Sequence, residues 1–365
     1  MDSIAAKQPD SPAATTRDLG FSFTGNAREY FGIWIVNLLL SIITIGIYTA
    51  WAKVRRLRYF YGNTWLDGHN FEYHAQPKQI LIGRLIVFGF LALINVLVNF
   101  VSPLFALIFI PYLLALPWLI NKSMAFNARM TSYRNVRLNF RGSYWGALLT
   151  FVLMPMVASI SLGLLAPIAS RMSSNYIGKH LGYGAARFGT DVKLGTLYRN
   201  LGATFLFGVS VTLVVAGVAA AIGYGFFELS GKAALSIDPG RELVSILVVA
   251  GVVGLYLALF LAAFFYLAGV RNAAFNATRL DGQHEFKSTL GRGRYVWILV
   301  SNLVASIVTI GMLRPWAAIR TWRYLAGSTT LVAAGALDHF VDEAAPKGNV
   351  ASAEFFDIEG IDFGL

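Results

Sequence analysis

The sequence contains no cysteine, and this absence excludes several kinds of chemistry. A chain without thiols forms no disulfide bond, no thiolate metal site and no iron–sulfur cluster, and it has no cysteine nucleophile. The sequence also lacks a glycine-rich phosphate loop followed by lysine and the His-Glu-x-x-His pattern of zinc hydrolases. We therefore expect no enzymatic activity, no cofactor and no bound metal.

Charged residues are scarce as well. They make up 13% of the chain, against roughly 25% in an ordinary soluble domain. Hydrophobic residues reach 56%, and the mean hydropathy is +0.59. A water-soluble fold cannot bury that much apolar surface, so the composition predicts an integral membrane protein. Residues 1–29 are polar and lack the order of a secretory signal, so we expect no cleavable signal peptide.

Seven apolar runs account for the high hydropathy. Each is near or above the roughly 17–25 residues that cross a bilayer as a helix, and none contains an ionisable residue in its interior. The runs are Tyr30–Thr49, Leu85–Val101, Leu104–Ile120, Tyr144–Ile168, Asn200–Phe227, Leu243–Val270 and Tyr295–Leu313. They predict an all-α polytopic membrane protein with seven apolar segments.

The basic residues cluster between these runs and give the chain a net charge of +11. Linkers 50–80, 121–143, 169–199 and 271–294 each carry five Lys or Arg residues, which predicts that all four linkers are cytoplasmic. Seven full crossings would place two of the four outside. Two interpretations therefore stay open. Either the first, fourth and seventh runs are re-entrant or in-plane and both termini are cytoplasmic, or all seven runs cross and the charge rule is violated.

An internal repeat indicates that the first, fourth and seventh runs are copies of one element. Residues 37–64 and 302–329 are identical at 14 of 28 positions without a gap, and a weaker third copy surrounds the fourth run. We divide the chain into a polar N-terminal segment (1–29), repeat unit 1 (30–143), repeat unit 2 (144–294), a third copy of the repeat element (295–330) and an acidic C-terminal tail (331–365).

The linkers carry turn signals. Asp67-Gly68 and Asp281-Gly282 lie between β-prone residues and predict hairpins, and residues 131–142 alternate polar and apolar side chains. The expected fold is therefore all-α, with internal repeats and small cytoplasmic β-hairpins.

Two sets of residues are candidates for function. The first holds the polar groups and glycines near the break in each repeated helix, as candidates for a pore or polar path: Asn37, Thr44, Gly46, Asn302, Thr309 and Gly311. The second set belongs to the basic, aromatic helix that follows, as candidates for lipid headgroups or the membrane interface: Trp51, Arg55, Arg58, Tyr59, Pro315, Trp316, Arg320, Arg323 and Tyr324.

Several motifs near the N-terminus resemble a known family. They are Phe21-x-Phe-x-Gly25, Glu29-Tyr30-Phe31, Trp34-Ile-Val-Asn37, Thr44-Ile-Gly-Ile-Tyr48, Trp51-Ala-Lys-Val-Arg55, Arg58-Tyr-Phe-Tyr-Gly-Asn-Thr64, Leu66-Asp-Gly68 and Tyr73-His74. Together they resemble the YjgN-like family of bacterial inner-membrane proteins, a domain of unknown function. The resemblance implies a bacterial cytoplasmic-membrane location and supplies no substrate or catalytic residue. The middle repeat copy departs from the pattern, because it lacks the tryptophan and the arginine pair.

Two functions are consistent with these features. One is a passive channel or transporter built from repeated broken helices, since helices interrupted at Gly or Pro place polar backbone inside membranes. Ion-coupled transport is disfavoured because the runs contain no ionisable residue. The other is a non-catalytic membrane organiser that binds anionic lipid or a protein partner through its basic, aromatic helices. We expect membrane lipids as partners, no nucleic acid, and either a homo-oligomer or an unidentified protein partner.

Overall fold

The structure is a computed structural model that describes residues 16–101, 107, 109–230 and 239–335. Its strands are β1 (Thr16–Gly20), β2 (Ser22–Phe23), β3 (Thr64–Leu66), β4 (His69–Tyr73), β5 (Thr131–Tyr133), β6 (Val136–Phe140), β7 (Leu181–Tyr183), β8 (Ala186–Thr190), β9 (Thr278–Leu280), β10 (His284–Ser288) and β11 (Thr329–Ala334).

The helices are α1 (Ala27–Ile43), α2 (Thr49–Gly62), α3 (Pro77–Val96), α4 (Phe109–Arg129), α5 (Tyr144–Ala147), α6 (Met154–Ile160), α7 (Ala166–His180), α8 (Leu194–Ser230), α9 (Pro239–Asn276), α10 (Arg292–Val308) and α11 (Arg314–Gly327). A π-helical segment extends α3 to Val101, and another joins α5 to α6.

The strands come from short hairpins between the helices. The central turn residues have positive φ, 47° at Asp67 and 74° at Gly68, and 53° at Asp281 and 69° at Gly282. This backbone matches the right-handed twist of the flanking strands and favours Asp-Gly. The hairpins that the sequence predicts in residues 63–75, 131–142 and 280–286 are present. The β7–β8 hairpin and the strands near both termini were not predicted.

All the strands of the described chain belong to one antiparallel sheet that nearly closes into a barrel. Its order is β1-β11-β10-β9-β8-β7-β6-β5-β4-β3-β2. β1 and β2 lie at opposite ends of this order, yet only Phe21 separates them in the chain. Residues 16–23 therefore pair with β11 at one end and with β3 at the other, so the eleven strands occupy ten positions around the barrel.

Apolar side chains fill most of the barrel interior. Because successive residues of a strand point to opposite faces, a short strand can direct only one or two side chains into this core. The buried members are Leu66, Tyr133, Val136, Tyr183, Ala186, Leu280, Leu331 and Ala333. Each unit of the sheet is too small to bury these groups alone, so the barrel core depends on residues from the whole length of the chain.

Helical pairs connect the strands, and every pair starts from the sheet and returns to it. The pairs are α1 with α2, α3 with α4, α5 and α6 with α7, α8 with α9, and α10 with α11. The hairpin turns occupy one rim of the barrel, so all five pairs leave from the other rim. Each pair contacts the next, through α2 with α3, α4 with α5, α7 with α8 and α9 with α10, and α11 packs against α1, so the pairs form a ring above the barrel.

The predicted fold class is wrong. The protein has an eleven-stranded sheet, and three helices of the described residues are long and apolar enough to cross a membrane: Pro77–Asn99, Leu194–Ile222 and Leu247–Asn276. The first, fourth and seventh apolar runs do not form single long helices. In each of them the chain reverses direction at a turn between the two helices of a pair. Part of the third run lies outside the described residues.

Hydropathy could not identify the sheet, because its strands are two to six residues long and lie in linkers that are polar on average. Strands also occur outside the predicted repeat units and third copy. Residues 16–23 of the N-terminal segment form strands, and β11 extends into the predicted tail as far as Ala334. The acidic part of the tail, residues 336–365, lies outside the described residues.

The buried histidine of the barrel makes its stability depend on pH. His284 is 1% exposed, and its Nδ1 accepts a hydrogen bond from the Ala334 backbone N–H at 3.1 Å. Burial lowers the pKa of His284, against a smaller opposing effect of Asp281. A lowered pKa in the folded state means that folding favours the neutral ring. The stabilisation from the neutral ring is therefore complete above the pKa of about 6.5 in the unfolded chain, and it is lost as the pH falls below that value.

We therefore expect the thermal unfolding temperature of the detergent-solubilised protein to fall between pH 7.5 and pH 5.5. His284→Gln should reduce this pH dependence, because it removes the titrating group, whereas His69→Gln on the exposed start of β4 should retain it. Circular dichroism at several pH values measures the effect. Parallel pH profiles for the wild type and His284→Gln would contradict the assignment.

Candidate headgroup cleft and hairpin turns

Three helical pairs reverse direction through the same backbone conformation. Ile45 and Gly46 have φ values of 50° and 88°, Leu162 and Gly163 have 52° and 86°, and the third pair repeats these values at residues 310 and 311. The left-handed conformation favours glycine at the second position, because a side chain there would be strained. The Gly46 and Gly311 candidates therefore have a structural role in these turns.

The turns satisfy their own backbone donors. In the first, the Thr44 hydroxyl donates to the Leu40 carbonyl oxygen at 2.7 Å and accepts from the Tyr48 N–H at 2.9 Å. The neighbouring N–H groups of residues 44–47 and 49 bond to backbone carbonyls. Thr309 acts in the same way, accepting from the Leu313 N–H at 3.1 Å. Ser161 replaces threonine in the middle turn.

These turns present apolar side chains to their surroundings. Ile45, Leu162 and Ile310 are each 94% exposed, and flanking residues such as Ile43 and Val308 are also largely exposed. Hydrocarbon tolerates non-helical backbone only where the polar groups have partners. A turn with paired N–H groups and an apolar surface therefore suits contact with lipid chains.

The two asparagine candidates lie between the helices of their pairs. Asn302 of α10 donates to the Ala317 carbonyl oxygen at 3.1 Å and to Thr321 Oγ1 at 2.9 Å, and it accepts from Arg320 at 3.1 Å. Asn37 of α1 is buried too, and its Oδ1 has no hydrogen-bond partner. These contacts hold α10 against α11, and a polar path through the asparagines stays a prediction.

The four interface candidates of α2 differ in how many contacts they make with the rest of the fold. Arg58 donates to the carbonyl oxygens of Tyr73 at 3.3 Å and Ala75 at 3.1 Å, which ties α2 to the end of β4. The Tyr59 hydroxyl accepts from the Asn26 N–H at 2.8 Å. Trp51 is half-buried and stacks on Tyr48, whereas Arg55 is exposed. Arg58 and Tyr59 therefore position the start and end of the first helical pair.

The candidates of α11 come together in one cleft of about 830 Å³ between α10, α11 and the start of α1. Trp316, Arg320, Arg323 and Tyr324 line it, while Pro315 is buried beside it. The cleft also includes two residues of α10 that the sequence analysis did not select, Arg294 and Trp297. Their spacing of three residues places them on the same face of a helix, which is the signal that would have identified them.

Three arginines give this cleft a concentrated positive charge. Arg320 donates to Ser301 Oγ at 2.6 Å and lies 5.1 Å from the Trp316 ring centre. Arg323 donates to the Gly25 carbonyl oxygen at 2.8 Å, and Arg294 lies 5.2 Å above the Tyr324 ring. Their partners are neutral, and among the described residues none of the three arginines forms an ion pair.

Two tryptophans line the cleft: Trp316 lies near the apolar turn, in the first turn of α11, and Trp297 lies in the half of α10 nearer the sheet. Trp297 is 65% exposed and Trp316 is 38% exposed, whereas Thr289 and Ser328 line the side nearer the sheet. Tryptophan prefers the level of lipid headgroups, where its ring is apolar and its N–H is solvated. The cleft therefore combines three arginines with two partly exposed tryptophans.

Metal-binding groups do not cluster in the part of the chain that the structure describes: no three His, Asp or Glu residues lie together there. His74 contacts Ser132 Oγ at 2.7 Å and lies 3.4 Å from Glu72, and His69 contacts the Asp67 carbonyl oxygen at 2.9 Å. His69 therefore has a partner within its own hairpin, and His74 has one on the neighbouring strand β5.

Comparison with known proteins places the chain among bacterial membrane proteins. The family model described as "Bacterial protein of unknown function (DUF898)" matches residues 18–358. The chain is 26% identical over 350 residues to Inner membrane protein YjgN of Salmonella typhimurium, which covers 84% of this chain and 87% of that protein. Inner membrane protein YjgN of Escherichia coli K12 is 32% identical over 153 residues, 42% of this chain and 38% of that protein.

No solved structure matches the chain. The resemblance that the N-terminal motifs indicate is confirmed by these matches. The names of the relatives support an inner-membrane location.

The threonine of a hairpin turn offers a direct test of the turn geometry. Thr309→Val keeps the shape of the side chain but leaves the Leu313 N–H without its acceptor, so we expect a loss of about 1–3 kcal/mol in the free energy of unfolding. Thr330→Val on β11 makes the same chemical change away from the turns and serves as the control. Equal thermal unfolding temperatures for the two variants in detergent would show that the hydroxyl does not stabilise the turn.

Proposed function

We propose that this protein binds anionic phospholipid headgroups at the cytoplasmic face of the inner membrane. The chain belongs to the DUF898 family of bacterial proteins of unknown function. The observation that carries the proposal is the cleft of Arg294, Arg320 and Arg323, in which three cations have neutral partners and two tryptophans lie alongside. The role is one of binding rather than catalysis.

The chemistry of the cleft fits a lipid phosphate. Guanidinium groups bind phosphate oxygens through charge-assisted hydrogen bonds, and Arg320 and Arg323 are held in place by hydrogen bonds within the protein. Preorganised donors lose less conformational entropy on binding than free side chains do. The cleft is also large enough to hold a headgroup with part of its glycerol backbone.

The position of the cleft favours a lipid over a soluble anion. α10 and α11 connect the sheet to an apolar turn with exposed side chains at residues 307–310. Basic residues near a membrane surface each contribute about 1 kcal/mol of attraction to anionic lipid. The cytoplasmic placement of the sheet follows from the four basic linkers, which contain its hairpins.

The passive path predicted from the sequence has weaker support. Thr44 and Thr309 use their hydroxyls inside the turns, and Asn302 uses its amide between α10 and α11. We therefore base the proposed function on the cleft.

Arg294→Gln tests the proposal without removing a hydrogen bond of the fold, since this side chain is exposed and contacts the Tyr324 ring only through its charge and planar face. Loss of one charge should weaken the binding of phosphatidylglycerol about fivefold, which corresponds to about 1 kcal/mol. Native mass spectrometry of protein from nanodiscs that mix phosphatidylglycerol with phosphatidylcholine measures the lipid that is retained.

Arg187→Gln is the matched control, because it removes the same charge from an exposed position on β8 outside the cleft. The control should retain phosphatidylglycerol as the wild type does, and added salt should weaken binding to the wild type more than binding to Arg294→Gln. Equal retention by both variants would contradict a headgroup site in this cleft.

A further inference from the structure

The barrel contains a cavity of about 200 Å³ that its own side chains do not fill. Its lining surface is entirely apolar and comes from strands along the whole chain. The lining residues are Phe21, Leu66, Phe71, Tyr133, Leu138, Tyr183, Phe188, Leu280, Phe286 and Leu331.

The two tyrosines in this lining direct their hydroxyls elsewhere. Tyr133 donates to the Leu66 carbonyl oxygen at 2.8 Å, and Tyr183 donates to the Tyr133 carbonyl oxygen at 3.0 Å. Both hydroxyls are therefore satisfied within the barrel wall, and burial raises the pKa of Tyr183. A water molecule in the cavity would find no polar partner, so the cavity suits only an apolar occupant.

The number of strands explains why space is left. An eight-stranded barrel is just wide enough for side chains to fill or for one small ligand, and the diameter grows with the strand number. Ten positions around this barrel leave room at the centre even with ten large side chains directed inward. A dry void of this size forfeits packing contacts with its walls, and an apolar occupant would restore them.

An apolar crevice of about 290 Å³ adjoins the cavity. Phe188 and Phe286 line both, so the two spaces meet at these two aromatic rings. The crevice lies between α7 and α9, with Ile177 on one side and Phe275 on the other. Phe275 belongs to the span Leu247–Asn276, so the crevice lies at the sheet end of a helix suited to the membrane. Cavity and crevice together fall within the roughly 300–1,000 Å³ of ordinary ligand pockets.

A polar pocket borders the crevice at Phe188, which also lines the cavity. It has a volume of about 680 Å³ and shares Phe188 and Thr190 with the crevice. Lys179, Arg279 and Asp191 line it. Arg279 forms an ion pair with Glu285 at 2.8 Å and Asp191 forms one with Arg171 at 3.4 Å, so Lys179 is the lining cation that has no ion pair among the described residues. Apolar space therefore continues into a polar, cation-bearing pocket, which is the polarity of a phospholipid from its chain to its phosphate.

We infer that the cavity and crevice bind one acyl chain of a membrane phospholipid, with the phosphate beside Lys179. The site is separate from the cleft of Arg294, Arg320 and Arg323, and it shares no lining residue with it. A bound chain completes the core of the barrel, so the lipid acts as a structural ligand of the sheet.

Photolabelling of the full chain tests this inference. The probe is a phosphatidylglycerol with a diazirine near the end of one acyl chain, incorporated into nanodiscs that contain the protein. Mass spectrometry of the labelled peptides should locate adducts in β8 and β10, near Phe188 and Phe286.

Leu331→Trp fills the cavity and should reduce these adducts at least tenfold. Leu280→Phe adds less volume to the cavity and should also reduce the adducts.

Val332→Trp is the matched control, because it places the same ring on the opposite face of β11. It should leave the adducts in β8 and β10 unchanged. Adducts confined to the helices, or adducts in the strands that persist in a folded Leu280→Phe variant, would overturn the inference. Stronger labelling of the strands by the free diazirine fatty acid than by the phospholipid at equal concentration would overturn the assignment to a phospholipid.

Discussion

The structure depends on the pairing of its first strands with its last. β1 bonds to β11, and β2 bonds to β3, so a single stretch of eight residues joins the two ends of the sheet. An open sheet would expose a row of unpaired N–H and C=O groups along each edge, and the near-closure of this sheet reduces that exposure. Closure also brings the N-terminal and C-terminal regions of the described chain into contact, which holds α11 against α1 and completes the ring of helical pairs.

The same requirement for paired backbone groups explains the hairpin turns. Three pairs reverse direction in five residues, and each turn uses a threonine or serine hydroxyl to cap a backbone N–H. Apolar residues are then free to occupy the turn surface. The tyrosine that ends the returning helix bonds to the residue before the entering helix, as Tyr59 does with Asn26 and Tyr324 with Gly291. In these pairs, hydrogen bonds hold the two helices together both at the turn and at the end near the sheet, without any contribution from lipid.

The two proposed binding sites follow from this arrangement. The headgroup cleft forms because closure places the start of α1 beside α11, so that residues near both ends of the chain line it. The acyl cavity forms because ten strand positions make a barrel slightly wider than its side chains can fill. Neither site lies within one repeat unit, and both depend on the assembled ring.

Sequence reasoning identified the local features better than the assembly. The Asp67-Gly68 and Asp281-Gly282 turns and the basic, aromatic helices were predictable, because their signals lie within a few residues. The single sheet was not, because strands as short as β2 carry little hydropathic signal and pair with partners far away in the chain. Trp316, Arg320, Arg323 and Tyr324 were selected as interface candidates, but their cleft also needs Arg294 and Trp297, whose proximity depends on how α10 packs on α11.

The most direct test of the account measures on which side of the membrane the hairpin turns lie. His69→Cys at the β3–β4 turn and Ala185→Cys at the β7–β8 turn each introduce one thiol at an exposed position of a chain that has none. A single sheet at the cytoplasmic face predicts that a membrane-impermeant maleimide labels both cysteines only after the cells are permeabilised. Labelling of Ala185→Cys in intact cells, with His69→Cys still protected, would place the two turns on opposite sides and contradict a single sheet.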